Sequence, residues 1–238
     1  MDKELTLIGH LEELRRRIII SSIAVIAISV LAFPLAYKAL EILKAPSAGM
    51  IEKLAFFTPA EAFLVHIKVA FFIGLVFSMP VILYQVWLFI SPAIGDKMRR
   101  MGAMFLFSSL GAFASGAAFG YFILLPAALK FLLSFSAESL APVISVSGYI
   151  SFVLGLILGS GLVFEMPVLS YLLTKIGVIN HRYLRRIWKY AVVAIFIAAA
   201  IVTPTPDVFN MTIMAIPMLV LYEISIWVSG VSGRKEQS

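Results

Sequence analysis

Ser151-Phe-Val-Leu-Gly-Leu-Ile-Leu-Gly-Ser-Gly-Leu-Val-Phe-Glu-Met-Pro-Val-Leu-Ser-Tyr-Leu-Leu173 is a 23-residue stretch in which Glu165 is the sole charged residue. As a helix it would rise about 35 Å, enough to cross the roughly 30 Å hydrocarbon core of a bilayer. The stretch therefore predicts a membrane span. A carboxylate inside that core costs about 3 kcal/mol even on the most lenient insertion scale, so Glu165 requires a compensating partner.

The rest of the chain has the same character. Of 238 residues, 61% are hydrophobic and 13% charged, and mean hydropathy is +1.02; soluble domains carry about 45–50% apolar and about 25% charged residues. An all-α integral membrane protein follows. Six spans are predicted: Ile18–Ala36, Val69–Ile90, Met101–Leu129, Tyr149–Thr174, Tyr190–Val202 and Val208–Trp227. The fifth has only 13 residues, and Asn210, Pro217 and Glu223 interrupt the sixth. With Thr203-Pro-Thr-Pro-Asp207 between them, and Asp207 placed to cap the second, these two read as a short hairpin that thins the bilayer, or alternatively as a re-entrant loop. Pro80, Pro126, Pro167 and Pro217 lie inside four of the spans and predict bent helices. Gly116/Gly120 and Gly155/Gly159 stand at the spacing that lets helix backbones approach closely.

Basic residues fix the expected orientation. With the N-terminus inside, 14 of the 19 lysines and arginines fall on inner segments, and Lys38, Lys44, Lys53, Lys68 and Lys130 on outer ones. The positive-inside rule then places both termini in the cytoplasm. The predicted layout is a single polytopic domain, 1–238. It has an inner amphipathic segment (1–17), an outer cap of short helices (37–68), a first inner loop (91–100), an outer loop (129–148), a second inner loop (175–189) and an inner tail (228–238). The net charge of +6 is explained by this topology, and no nucleic-acid partner is needed.

Catalytic groups are scarce. The absence of cysteine excludes disulfides and thiolate sites. His10, His66 and His181 fall in separate segments on two sides of the membrane, so no metal centre is expected. There is no phosphate loop, nucleophile elbow or metalloprotease motif. Neither a cofactor nor an enzyme activity is expected.

Two constellations remain. In the N-terminal segment Leu7, Leu11, Leu14 and Ile18 recur at helical spacing, giving an amphipathic helix along the inner surface that leads into the first span. Glu12/Arg16 and Glu13/Arg17 are i,i+4 pairs in the favoured order. Their carboxylates are either internal salt-bridge partners or receivers of a cationic ligand, ideally arginine, whose fork matches a carboxylate. Glu165 is likewise either a buried carboxylic acid bonded to a neighbouring helix or a polar docking point. Glu223 reads as an acid paired near the inner interface with loop arginines, and Trp87 and Trp227 as interfacial anchors.

Four motifs carry a resemblance. His10-Leu-Glu-Glu-Leu-Arg-Arg-Arg17, Pro80-Val-Ile-Leu-Tyr-Gln-Val-Trp-Leu-Phe-Ile-Ser-Pro-Ala93, Phe164-Glu-Met-Pro167 and Thr203-Pro-Thr-Pro-Asp-Val-Phe209 occur in one order along nearly the whole chain. Together they resemble TatC, the receptor component of the twin-arginine protein translocase. The resemblance implies a glove-shaped bundle of six helices in the bacterial inner membrane. It would bind twin-arginine signal peptides of folded precursors at its cytoplasmic face, and would be driven by the proton gradient. Partners would be TatA- and TatB-type single-span subunits and further copies of the chain. The family's N-terminal acid falls on Glu13, with Leu11 and Arg15 beside it. The loop acid's position is held by Met98, so Asp96 is the substitute carboxylate, next to Arg99 and Arg100. Glu165 matches the family's concave-face acid, with Gln85 and Asn210 as companions, since Met211 replaces the usual span-six glutamine. The competing reading is a small proton-coupled transporter or channel with Glu165 as relay. It would be expected to show internal repeats, and none is evident.

Overall fold

The computed structural model describes residues 7–47, 50–51, 54–91, 102–134, 143–202 and 208–234. The motif 203–207 and the first inner loop, with Asp96, Met98 and Arg99, lie outside the described residues. Helix α1 (Leu7–Ala32) runs 26 residues without interruption, because no glycine or proline occurs between His10 and Ala32. The N-terminal segment thus shares the axis of the first span and does not lie along the surface as a separate helix. Pro34 ends it in a 3₁₀ turn, Phe33–Leu35. Helix α2 (Ala36–Lys44) and a second 3₁₀ turn, Ala45–Ser47, follow as part of the cap.

Helix α3 (Pro59–Ile90) starts with proline in its first turn, where the missing N–H costs nothing, and continues through Pro80 for 32 residues. The third span is divided: α4 (Gly102–Phe119), a π-helical turn (Gly120–Leu124) and α5 (Leu125–Ser134). The wider turn precedes Pro126, whose ring would otherwise meet the carbonyl four residues back. The fourth span breaks at Glu165 into α6 (Val146–Phe164) and α7 (Met166–Lys175), with Pro167 in the first turn of the new helix. Gly177 (φ 82°) takes the left-handed conformation that closes α7. Helices α8 (His181–Arg186), α9 (Trp188–Val202) and α10 (Val208–Arg234) complete the chain.

Among the described residues five helical spans are long and apolar enough to cross a membrane, and α9 is a shorter apolar helix. The final pair therefore differs from the expected two short helices. Helix α9, with 15 residues, rises about 22 Å, whereas the 27 residues of α10 form an unbroken helix through Asn210, Pro217 and Glu223. Glu223 is accommodated there by Arg185 and Trp188.

Helix α1 packs along α3, α4 along α6, and α10 along α7 and α9, with α3 also touching α6. Gly116 and Gly120 make the α4–α6 contact possible: a Cβ on Gly116 would lie 2.5 Å from the Ser160 carbonyl, and one on Gly120 would lie 3.0 Å from that of Leu156. Gly155 departs from expectation. Nothing stands within 4 Å of its missing Cβ, and Gly161 instead meets the Phe113 ring. Trp87 is a second correction, being buried against Phe105 (ring centroids 5.4 Å apart), while Trp227 stays exposed as an interfacial anchor would.

The cap is tied to the spans by polar bonds. The Tyr121 and Tyr149 hydroxyls donate to the carbonyls of Ile42 (2.6 Å) and Leu43 (2.9 Å). A short parallel pair, β1 (Leu54–Ala55) with β2 (Ile144–Ser145), links the cap to the start of α6. Glu61, in the first turn of α3, accepts from Phe57 N (2.7 Å), Ser147 N (2.9 Å) and the Ser145 hydroxyl.

Candidate functional site

At the end of the bundle opposite the cap, α1 presents Glu13 and Arg17 one turn apart on the face toward α3. Arg17 spreads its guanidinium between two acceptors: Nη2 donates to Glu13 Oε1 (2.9 Å) and Nη1 to Gln85 Oε1 on α3 (3.1 Å). Its Nε is enclosed without an acceptor. Both members of the Glu13–Arg17 pair keep about a fifth of their side-chain surface (22% and 23%), so the pair is partly open to solvent. The His10 ring lies on Phe89 at 4.6 Å between centroids, fixing the preceding turn of α1 to the end of α3. Of the two expected i,i+4 pairs only this one forms; Glu12 and Arg16 are exposed and make no ion pair among the described residues.

This pair stands at the mouth of an apolar groove. Between α1 and α3 runs a cavity of about 550 Å³ lined by Leu14, Ile18, Val25, Phe71, Ile82 and Phe89, with Arg17 and Gln85 at its polar end. Leu11 and Arg15 project from the exposed faces of the same helix. The arrangement can hold a guanidinium at a carboxylate while the apolar residues that follow it lie in the groove. Gln85 thus belongs with Glu13, 68 residues from its partner Arg17 in sequence, and not with Glu165 as expected. Sequence spacing carries no signal for such a contact.

Glu165 is enclosed, as in the buried-acid alternative. At the α6–α7 break its side chain is 6% exposed, and neither carboxyl oxygen meets a hydrogen-bond partner among the described residues. The buried Ser109 hydroxyl of α4 lies beside it. Asn210 is also buried, at the opening turn of α10, and no hydrogen bond joins it to Glu165. Glu223 meets its expectation: Arg185 Nη1 donates to both carboxylate oxygens (3.0 and 3.1 Å) and Trp188 Nε1 to one (2.8 Å). No cluster of three or more potential metal ligands occurs among the described residues.

Comparison with known proteins gives a consistent result. Residues 9–217 match the model of the family described as Sec-independent protein translocase protein (TatC). The TatC protein of Carboxydothermus hydrogenoformans is 38% identical over 237 residues, covering 100% of this chain and 98% of that one. The Aquifex aeolicus TatC protein is 43% identical over 232 residues and 96% of each chain. A crystal structure of the twin-arginine translocase receptor TatC superimposes with a TM-score of 0.84 at 43% identity, covering 94% of this chain and 99% of the other. A family match over most of the length, full-length relatives near this identity and a common helical architecture lead to one conclusion: the chain belongs to the TatC family, and is a multi-pass component of the bacterial inner-membrane Sec-independent protein translocase and not an enzyme.

Proposed function

We propose that the chain is the signal-peptide receptor and scaffold of its translocase, with both termini in the cytoplasm. The observation that carries this is the Glu13 carboxylate, already holding one guanidinium, at the open mouth of an apolar groove. A twin-arginine motif followed by an apolar segment has the same order of chemistry. Glu13 takes one arginine of the motif in a charge-assisted hydrogen bond, using the oxygen that Arg17 leaves free or displacing Arg17. Asp96, in the first cytoplasmic loop beside Arg99, takes the other, and Leu11 and Arg15 flank the docked peptide. The apolar segment then lies between α1 and α3.

TatA- and TatB-type single-span subunits dock beside the α6–α7 break that encloses Glu165, and further copies of the chain assemble around them. The proton gradient drives export. A relay through Glu165 finds no support, since the polar neighbour beside it is the Ser109 hydroxyl and not a second ionisable group.

Photo-cross-linking to a twin-arginine precursor, from probes at the neighbouring positions 11 and 97 that leave both carboxylates in place, tests the assignment. Strong adducts at 11 and 97 that vanish with a twin-lysine precursor are expected. Equal adducts with both precursors would remove Glu13 and Asp96 from recognition.

A further inference from the structure

Lys68 of α3 has no part in the receptor role. It is exposed, and its ammonium donates to two hydroxyls of α6, Ser147 Oγ (2.8 Å) and Ser151 Oγ (2.9 Å). Among the described residues it has no carboxylate partner. Glu61, two turns earlier on α3, accepts from Phe57, Ser145 and the Ser147 amide instead. Each serine hydroxyl that accepts from Lys68 retains a proton to donate, and no described bond uses either proton. An ammonium N–H and two O–H groups therefore converge with no anion among the described residues to receive them.

Depth in the membrane sharpens the point. Lys68 and Gln85 lie 17 residues apart on one unbroken helix, about 26 Å along the axis. Gln85 binds Arg17 at the end of the groove near the N-terminus. If that pair marks one edge of the roughly 30 Å hydrocarbon core, Lys68 marks the other, at the level of lipid phosphates. A lysine there ordinarily extends its ammonium into water. This one is held across a groove by α6.

Below Lys68 the groove, of about 210 Å³, is lined by Phe71, Phe72, Leu75, Leu154, Gly155 and Leu158, with no acidic residue. Gly155 keeps it open, since nothing lies within 4 Å of the position a Cβ would take. That volume cannot seat a helix about 10 Å across, but a single hydrocarbon chain fits.

We propose that Lys68, Ser147 and Ser151 bind the phosphate of an anionic phospholipid in the leaflet opposite the N-terminus, with one acyl chain lying over Gly155 in the groove. Charge complementarity selects the anionic headgroup, and the narrow apolar floor selects a lipid over a free phosphate or a partner helix.

Native mass spectrometry of the purified full-length chain, released from micelles doped with phosphatidylglycerol or phosphatidylcholine, tests this. Phosphatidylglycerol retention should exceed that of phosphatidylcholine, fall about tenfold in Lys68→Gln, and survive in Lys68→Arg. It should also fall in Gly155→Leu, which fills the groove without meeting a neighbour at its Cβ, and glycerol phosphate in excess should not displace the lipid. Equal retention by the parent protein and Lys68→Gln would overturn the proposal, as would displacement by glycerol phosphate or indifference to Gly155→Leu. Should Lys68→Gln fail to fold, the Ser147→Ala/Ser151→Ala pair keeps the lysine and must show the same loss.

Discussion

Glu165 and Glu13 are both carboxylates on helices, yet their surroundings assign them opposite states. Glu13 is paired, partly solvated and bonded to a guanidinium. Glu165 is enclosed with both oxygens unmatched, and a buried polar group without a partner costs about 1–3 kcal/mol. Replacing it by a side chain of similar size and no polarity removes that cost. Glu165→Leu is therefore expected to melt at or above the temperature of the parent protein, by about 1–3 kcal/mol of stability, while co-purification of the single-span subunits falls. A lower melting temperature would show that the carboxyl is already satisfied within the fold. The i,i+4 spacing made the Glu13–Arg17 contact readable in the sequence, since the helix repeat alone brings those side chains together. The third member, Gln85, comes from another helix, and no local pattern could reveal it.

At the level of elements, glycine has two separate uses. Gly120, opening the π-helical turn after α4, lets that span approach α6, so Gly120→Val, whose Cβ would meet Ser160 Oγ and lie 3.0 Å from the Leu156 carbonyl, should destabilise the bundle by about 1–3 kcal/mol. Gly155→Ala, facing open space, should change thermal stability by less than about 0.5 kcal/mol. Similar losses in both would mean that the small-residue spacing itself, and not the contact, sets stability. Spacing was legible for both pairs, but which glycine faces a neighbour depends on helix rotation that the pattern does not encode. The apolar runs were legible because length and polarity decide them; of the four prolines expected to bend helices, those at 126 and 167 lie beside breaks in their spans, while α3 and α10 continue through Pro80 and Pro217. Glu61 went unnoticed because its acceptor role uses donors 84 and 86 residues away. Glu61→Ala leaves those donors unmet, and is expected to lower the melting temperature and open the cap to limited proteolysis while peptide binding at the other end persists. Unchanged protease resistance would show that the tyrosine bonds to α2 suffice.

The whole molecule joins the proposed recognition end to a cap end through one groove system, in which Phe71 and Leu75 border both the α1–α3 and the α3–α6 cavities. Helix α9 rises only about 22 Å, some 8 Å less than a typical hydrocarbon core, so as a sixth span it would thin the bilayer beside it. Lengthening α9 by one helical turn of leucines is expected to leave peptide affinity unchanged and to reduce export; full export would separate the short helix from transport. The account rests most heavily on Glu13 reading arginine as arginine, and a double-mutant cycle isolates that contact. Calorimetric titration of twin-arginine and twin-lysine signal peptides into the parent protein and Glu13→Gln should show a preference for arginine of about tenfold or more in the parent, nearly abolished in the variant. The same arginine-to-lysine ratio in both proteins would contradict it.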